Sequence, residues 1–182
     1  GVRYADDPEA DYFLIKELTP GFLEGISGTY KDPEGYFVCE KNPEESYYAN
    51  VLLPVYLAKA SDGKKLICFS SDQVYRGCKS DGPYREDEAK PANIYGAHKL
   101  EMEQRVLDRQ PDSVLLRAEW MYDYVSPKPN YFLNVLHASQ QVSFSSRQFR
   151  GITYLKEVVE NMDHVMALPG GVYNFGSETN QS

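Results

Sequence analysis

Two hydroxyls and a carboxylate, Ser70-Ser71-Asp72, close the short apolar run Leu66-Ile67-Cys68-Phe69. Such a run reads as a central parallel strand covered on both faces. In open α/β sheets, ligands bind just beyond the carboxyl ends of the strands. Three polar groups at that point can meet a ligand, or they can simply cap the following turn. Further along, Tyr95 and Lys99 stand four residues apart, which on a helix puts them on one face. Met102 and Val106 continue that face, so it packs inward, and a lysine on an apolar face costs free energy unless it has a partner. Asn50 enters for a backbone reason. Pro54 has no N–H, so a helix running through it leaves the Asn50 carbonyl without its helical donor. That carbonyl is then open to a water, or the kink has no consequence.

These residues need elements to position them. Asn42-Pro43-Glu44-Glu45 reads as a helix start, with Asn as N-cap, Pro at the first helical position and acids in the first turn. The helix runs to about Ala60. Pro91-Ala92-Asn93 opens a second helix reaching about Arg109, ahead of Pro111. Ala97, Leu100 and Leu107 form a second apolar stripe on it, so this helix is sandwiched or contributes to a homodimer interface. Val114-Leu115-Leu116 is the next buried strand and ends in Arg117-Ala118-Glu119-Trp120. Asn130 to Gln140 and Leu155 to Ala167 read as helices, and Val172 to Phe175 as a last strand. Alternating strands and helices imply α/β with a parallel sheet. Residues 1–37 show no clear pattern. Tyr12–Leu18 is a candidate strand leading into Gly21, Gly25 and Gly28, which are either a loose variant of a phosphate-binding glycine loop or a turn-rich loop.

The chain has 182 residues, enough for one domain with a sizeable core, and is 42% hydrophobic and 25% charged. Its net charge of −8 argues against nucleic acid or an anionic membrane as the main partner, because both need a basic surface. No apolar run approaches the roughly 20 residues needed to span a bilayer, and nothing reads as a signal peptide. Cys39, Cys68 and Cys78 form no CxxC pair and read as reduced thiols of a cytoplasmic protein. His98, His137 and His164 lack ligand spacing, so no metal is expected.

Ser71 with Tyr95-x-x-x-Lys99 resembles the Ser/Thr–Tyr–Lys constellation of short-chain dehydrogenase/reductases. The longer runs Ser70-Ser71-Asp72-Gln73-Val74-Tyr75-Arg76-Gly77, Pro83-Tyr84-Arg85-Glu86-Asp87 and Pro91-Ala92-Asn93-Ile94-Tyr95-Gly96 resemble extended members that act on nucleotide sugars. Leu116-Arg117-Ala118-Glu119-Trp120-Met121-Tyr122, with Gln148-x-x-Gly151-x-Thr153 downstream, is similar to the dTDP-4-dehydrorhamnose reductase (RmlD-like) branch. Related dehydratases carry an Asp-Glu pair after the hydroxyl. This chain has Asp72-Gln73, and an amide cannot serve as the second acid. The resemblance covers about residues 39–182. It implies a Rossmann-like parallel sheet flanked by helices, incomplete at the N-terminus and the C-terminus, with part of a small substrate-binding region. Residues 1–124 would be a partial nucleotide-binding portion and 125–182 a partial substrate-binding portion.

The activity so implied is reduction of a nucleotide-activated 4-keto-deoxysugar with NADP or NAD as cofactor. A nicotinamide hydride reaches the ketone carbon, and the ketone oxygen gains a proton from Tyr95. Tyrosine's ordinary pKa near 10 keeps it protonated at neutral pH. Lys99 would stabilise the resulting phenolate, by up to about 4 kcal/mol at ~4 Å and an effective dielectric near 20. Ser71 would hydrogen-bond the carbonyl oxygen as charge develops on it. Lys99 would also bond the cofactor ribose, beside Ser70, Tyr95 and Asn50, and the Asn50 carbonyl would hold a water that resupplies the proton. Asp72 and Trp120 would meet the sugar, Trp120 by offering an aromatic face; the other reading of Trp120 is a core residue. The alternative function is a non-catalytic, NAD(P)-binding regulatory relative, like the regulatory subunit of methionine adenosyltransferase.

Overall fold

The structure, a computed structural model, describes residues 2–4, 28–30, 36–61, 63–78, 82–125 and 152–176. The chain divides into two compact units, Gly1–Val38 and Cys39–Ser182. In the first, β1 (Val2–Tyr4) and β2 (Gly28–Tyr30) pair in parallel. Strands of three residues are too short to show a period of two in sequence, which is why this stretch reads as patternless. Gly28 opens β2. The candidate strand Tyr12–Leu18, Gly21 and Gly25 lie outside the described residues, as do the expected helix Asn130 to Gln140, Gln148 and Gly151.

The second unit is built on a parallel sheet of β3 (Ile67–Ser71), β4 (Val114–Ala118) and β7 (Gly171–Phe175), in that spatial order. The register sets Ser70 beside Arg117 and Arg117 beside Asn174. β7, which the sequence reading assigned to the substrate-binding portion, is the third strand of this sheet. β4 is buried along its whole length. The double coverage expected of β3 belongs to β4 instead. β3 ends the described sheet, and its Phe69 is 38% exposed. β3 also runs two residues past its apolar stretch, so Ser70 and Ser71 are in the strand rather than after it.

Helices cover the sheet on both faces. α1 (Tyr36–Lys41) precedes a helical run of α2 (Pro43–Tyr47), a π-helical turn (Tyr48–Leu52) and α3 (Leu53–Ala60). α3 and α4 (Ile94–Arg109) cover one face, where Val55, Ala58, Met102 and Val106 bury Leu115. On the other face Val114 and Leu116 pack on Val165 of α6 (Met162–Ala167). α5 (Leu155–Glu160) and α6 were expected as one helix. Asn161 separates them at φ −96°, ψ 0°, with its side-chain amide donating to the Glu157 carbonyl, a local bond that competes with helix continuation. β5 (Trp120–Tyr122) pairs in parallel with β6 (Ile152–Tyr154).

Sequence signals at the helix starts fared differently. Asn93 is the N-cap of α4, its Oδ1 accepting from the Gly96 N–H at 2.6 Å. Asn42 makes no side-chain cap bond; its carbonyl takes the Ser46 N–H. The kink expected at Pro54 is the π-turn just before it, closed by a bond from the Leu53 N–H to the Tyr48 carbonyl. Widening the helix there accommodates a proline that clashes with the carbonyl four residues back and cannot donate to it. Of the second stripe on α4, Leu107 packs against the core, Leu100 is half-buried and Ala97 is exposed. Among the described residues no helix is long and apolar enough to cross a membrane, and the three cysteines form no disulfide.

Candidate functional site

The carboxyl ends of β3, β4 and β7 carry the polar residues. Adjacent strand residues turn to opposite faces, so Ser70 and Ser71 part company. Ser70 faces α4 and donates to Glu103 Oε1 at 2.5 Å. Ser71 turns into the 3-10 turn Asp72–Tyr75, donating to Asp72 Oδ1 at 3.0 Å and accepting from the Gln73 N–H at 3.2 Å. The capping role left open for this hydroxyl in the sequence is therefore present.

α4 brings Tyr95 and Lys99 to the same end. Its first turn is seated against the turn that follows Ser71: a Cβ on Gly96 would lie 2.5 Å from the Gln73 carbonyl oxygen and 2.9 Å from Asn93 Oδ1, so only glycine fits. Asn93 also donates to Gln73 Oε1. Lys99 reaches β3 two residues before Ser71, donating to the Phe69 carbonyl at 3.1 Å, and its ammonium stands 5.6 Å from the centre of the Tyr95 ring. This is the partner that a lysine on an apolar face requires. Burial lowers the Lys99 pKa, and Cys68, Glu103 and Cys39 work in the opposite direction. Cys68 is itself pushed up to about 11 by burial, so its thiol stays protonated.

Asn50 is buried in the π-turn, with its side-chain amide donating to the Ser46 carbonyl at 3.1 Å. Ser46 Oγ lies 2.9 Å from Nδ1 of His98, the residue before Lys99. The widened turn is thus tied to the helix that carries Tyr95 and Lys99. Trp120 is half-buried at the start of β5, beside β6. Next to it, Tyr122 stacks on Tyr154, and Tyr124 packs edge-on against Tyr122.

Two features escaped the sequence reading. Glu119 is half-buried just past β4. A Cβ on Gly176 would lie 2.6 Å from its Oε2 and 3.4 Å from Thr153 Oγ1, so the carboxyl sits between the end of β7 and β6. Burial raises its pKa, and the Asp72 charge raises it further. The second feature is the ion pair of Glu103 and Arg117. Arg117 donates through Nε to Oε1 at 3.0 Å and through Nη2 to Oε2 at 2.7 Å, and both side chains are almost fully buried. Its Nη1 bonds the Tyr75 hydroxyl and the Glu86 carbonyl. Burial disfavours the guanidinium charge, but the bonds and field of Glu103 and Tyr75 outweigh this and raise its pKa. Removing one partner of such a pair leaves an uncompensated buried charge, typically at a cost of about 3–5 kcal/mol. Glu103 was within reach of sequence logic, since it extends the spacing of Tyr95 and Lys99 by a further four residues.

In chemical terms the structure sets an ammonium beside a phenol ring on α4, and a hydroxyl with a carboxylate partner at the end of β3. The ammonium can serve paired hydroxyl acceptors, since it has three donors and the Phe69 carbonyl takes one. Among the described residues, no group of three or more His, Cys, Asp or Glu is placed to hold a metal ion.

Comparison with known proteins agrees with this architecture. The sequence is 41% identical over 87 residues to dTDP-4-dehydrorhamnose reductase of Mycolicibacterium smegmatis, covering 46% of this chain and 27% of that protein. It is 36% identical over 129 residues to methionine adenosyltransferase 2 subunit beta of Xenopus tropicalis, covering 66% and 38%. The chain spans from about a quarter to about half the length of the curated relatives it matches. Its fold matches the crystal structure of dTDP-4-dehydrorhamnose reductase from Bacillus anthracis in complex with NADP, with a TM-score of 0.70 at 22% identity, covering 83% of this chain and 56% of that one. The fold is therefore Rossmann-like, a parallel sheet flanked by helices. The RmlD substrate binding domain matches residues 29–179. With strand ends, helix caps and sequence all in agreement over most of its length, the chain belongs to the RmlD substrate-binding-domain family.

Proposed function

We propose that this chain is part of an NAD(P)H-dependent reductase of a nucleotide-activated 4-keto-deoxysugar. The observation that carries the reading is Lys99, held on the Phe69 carbonyl of β3, two residues before Ser71, with its ammonium beside the Tyr95 ring. The residues suit a nicotinamide cofactor: the remaining donors of the Lys99 ammonium match the two hydroxyls of a ribose. When bound, the cofactor supplies the hydride that reduces the ketone. Tyr95 gives the ketone oxygen its proton, and Lys99 stabilises the phenolate left behind. Ser71, at the strand end, donates to the same oxygen once its hydroxyl turns from Asp72. Asp72 and Trp120 face the sugar. The Asn50 carbonyl, which Pro54 cannot serve, holds the water that returns the proton to Tyr95. Ser70 has its hydroxyl committed to Glu103, so its contact with the cofactor is through the backbone. Three free cysteines suit a cytoplasmic enzyme, and a homodimer contact would use the α4 surface at the exposed Ala97 and half-buried Leu100.

The likeness to methionine adenosyltransferase 2 subunit beta supports a second reading, in which the site binds NAD(P) without turnover. Cofactor oxidation with a dTDP-4-keto-deoxysugar, using the full-length protein and its Tyr95→Phe variant, separates the two. The reductase reading expects the variant to lose about 10²–10⁴-fold in kcat. Cofactor affinity should stay within a few-fold, because the ring and Lys99 remain. Equal rates would remove Tyr95 from the mechanism. A wild type that binds cofactor and never turns over would establish the regulatory reading.

A further inference from the structure

We propose that Glu103 and Arg117 are positioning residues for this site: their buried pair fixes the end of β3 against α4 and so sets where Lys99 and Ser71 stand. The proposal rests on the reductase reading for its effect on turnover. Its geometric basis is independent of that reading.

The pair is a junction. Glu103 lies one helical turn beyond Lys99 on α4, and its Oε1 takes both the Ser70 hydroxyl of β3 and Nε of Arg117 of β4. Arg117 Nη1 reaches the Tyr75 hydroxyl, at the end of the turn that begins with Asp72. Tyr75 passes the connection to Asn174 of β7, donating to its Oδ1 at 2.7 Å. Asn174 then grips the loop at residues 84–86, its backbone N–H donating to Glu86 Oε1 and its side-chain amide to the Tyr84 carbonyl. Four hydrogen bonds from one guanidinium tie β4 to α4, the 72–75 turn and the 84–88 loop, and the Ser70 bond to Glu103 adds β3 to the same register.

Stability alone does not call for this arrangement. A buried ion pair is often matched or bettered by apolar side chains of similar volume. The same three strands are joined to α4 in that apolar way one layer down, through Leu115, Met102 and Val106. What the ionic layer adds is direction. A bidentate guanidinium–carboxylate pair fixes angle as well as distance, and it does so on either side of the two residues that must be aligned, Ser70 next to Ser71 and Glu103 one turn from Lys99. The Glu103 charge also acts on the Lys99 ammonium, together with Cys68 and Cys39.

The test uses the full-length protein, with Glu103→Gln compared against Glu101→Gln, which removes the same charge from the same helix at a residue that bonds Tyr47 and Arg105 instead. Two quantities are read: kcat and KM for cofactor oxidation, and the titration midpoint of Lys99. The latter is followed by NMR of ¹³C-methylated lysines and assigned with Lys99→Arg. Misplacement by about 1 Å can cost 10²-fold, so Glu103→Gln should lower kcat about 10- to 100-fold with cofactor KM within about twofold, and should lower the Lys99 midpoint. Glu101→Gln should do neither. Unchanged kcat and an unmoved Lys99, whatever the fall in melting temperature, would make the pair merely structural and overturn the proposal. If the wild type turns nothing over, the reductase reading fails, and a crystal structure of Glu103→Gln decides alone: Lys99 shifted off the Phe69 carbonyl sustains the placement, and an unmoved Lys99 ends it. If Glu103→Gln does not fold, Glu103→Asp, which keeps the charge on a shorter arm, is judged on kcat and on the position of Lys99 in its crystal structure: lower kcat with Lys99 displaced sustains the proposal, and neither change ends it.

Discussion

The two halves of one sheet make opposite use of the same three strands. In their first half β3, β4 and β7 are apolar: Ile67, Cys68, Val114, Leu115, Leu116 and Val172 pack against Val55, Ala58, Met102 and Val106 on one side and Val165 on the other. Two residues further on, the row becomes Ser70, Arg117 and Asn174, and the turn beyond it carries Asp72. The first half is filled by shape and has no hydrogen bonds to satisfy between side chains. The second half is filled by donors and acceptors, each with a named partner. Packing of the first kind tolerates volume-conserving exchange. A satisfied buried network does not, because deleting one member strands the others. The fold therefore separates the part that holds the chain together from the part that holds chemistry in place.

The sharpest break of that division is Leu115→Ala. Leu115 is fully buried, and truncating such a leucine typically costs about 2–5 kcal/mol. Denaturant unfolding should show that loss, while kcat measured on the folded fraction stays within about twofold. A large fall in kcat per folded molecule would show that the apolar half also sets the site.

Gly96→Ala tests the seam where the halves meet. The new methyl would fall 2.5 Å from the Gln73 carbonyl, a backbone atom that cannot swing away, so α4 and the 72–75 turn must separate. Overpacking of this kind costs about 1–3 kcal/mol. Here, unlike Leu115→Ala, turnover should fall together with stability, because the displaced turn is capped by Ser71 and the displaced helix carries Tyr95. Retained kcat in the alanine variant would mean that the seam is not part of the site.

What sequence made legible follows the same line. Local chemistry could be read: the polar strand ends at Ser70-Ser71 and Arg117, the disturbance at Pro54 and the helix start at Pro91-Ala92-Asn93 each depend on a few neighbouring residues. Pairings across the fold could not. Glu103 finds Arg117 only once α4 lies on β4, and Ser70 is drawn to Glu103 rather than to the open edge only in that register. The continuous apolar run of β3 reads as a central strand, yet sheet order is set by contacts far away in sequence, and among the described residues the strand with a neighbour on each side is β4. The break at Asn161 was hidden by a hydrophobic spacing that continues through it.

Asn93→Ala is a milder probe. It removes the side-chain acceptor of the Gly96 N–H, and such caps are worth about 1 kcal/mol. The expected outcome is a drop of that size in unfolding free energy. A larger loss would assign the Asn93 bond to Gln73 a weight beyond capping.

The smallest expected effect concerns Glu119, and its sign distinguishes the two halves directly. An apolar layer does not respond to pH, whereas a half-buried carboxyl does. Burial and the charge of Asp72 raise the Glu119 pKa above the ordinary carboxylate value near 4.3. Below that value the group is protonated in both folded and unfolded chains, and its contribution to stability is fully present. As pH rises, the unfolded chain ionises first and is favoured, so stability is lost until pH has passed through the folded value, above which the loss is constant. Glu119→Gln carries no such proton and escapes the loss. Melting temperatures of wild type and Glu119→Gln, measured from pH 4 to pH 7, should therefore diverge as pH rises, with the wild type falling relative to the variant. A difference that stays flat across that range would show that the folded chain leaves Glu119 with an ordinary carboxyl. A difference of the opposite slope would mean that the folded site stabilises the ionised carboxylate, against the burial and the Asp72 charge that surround it.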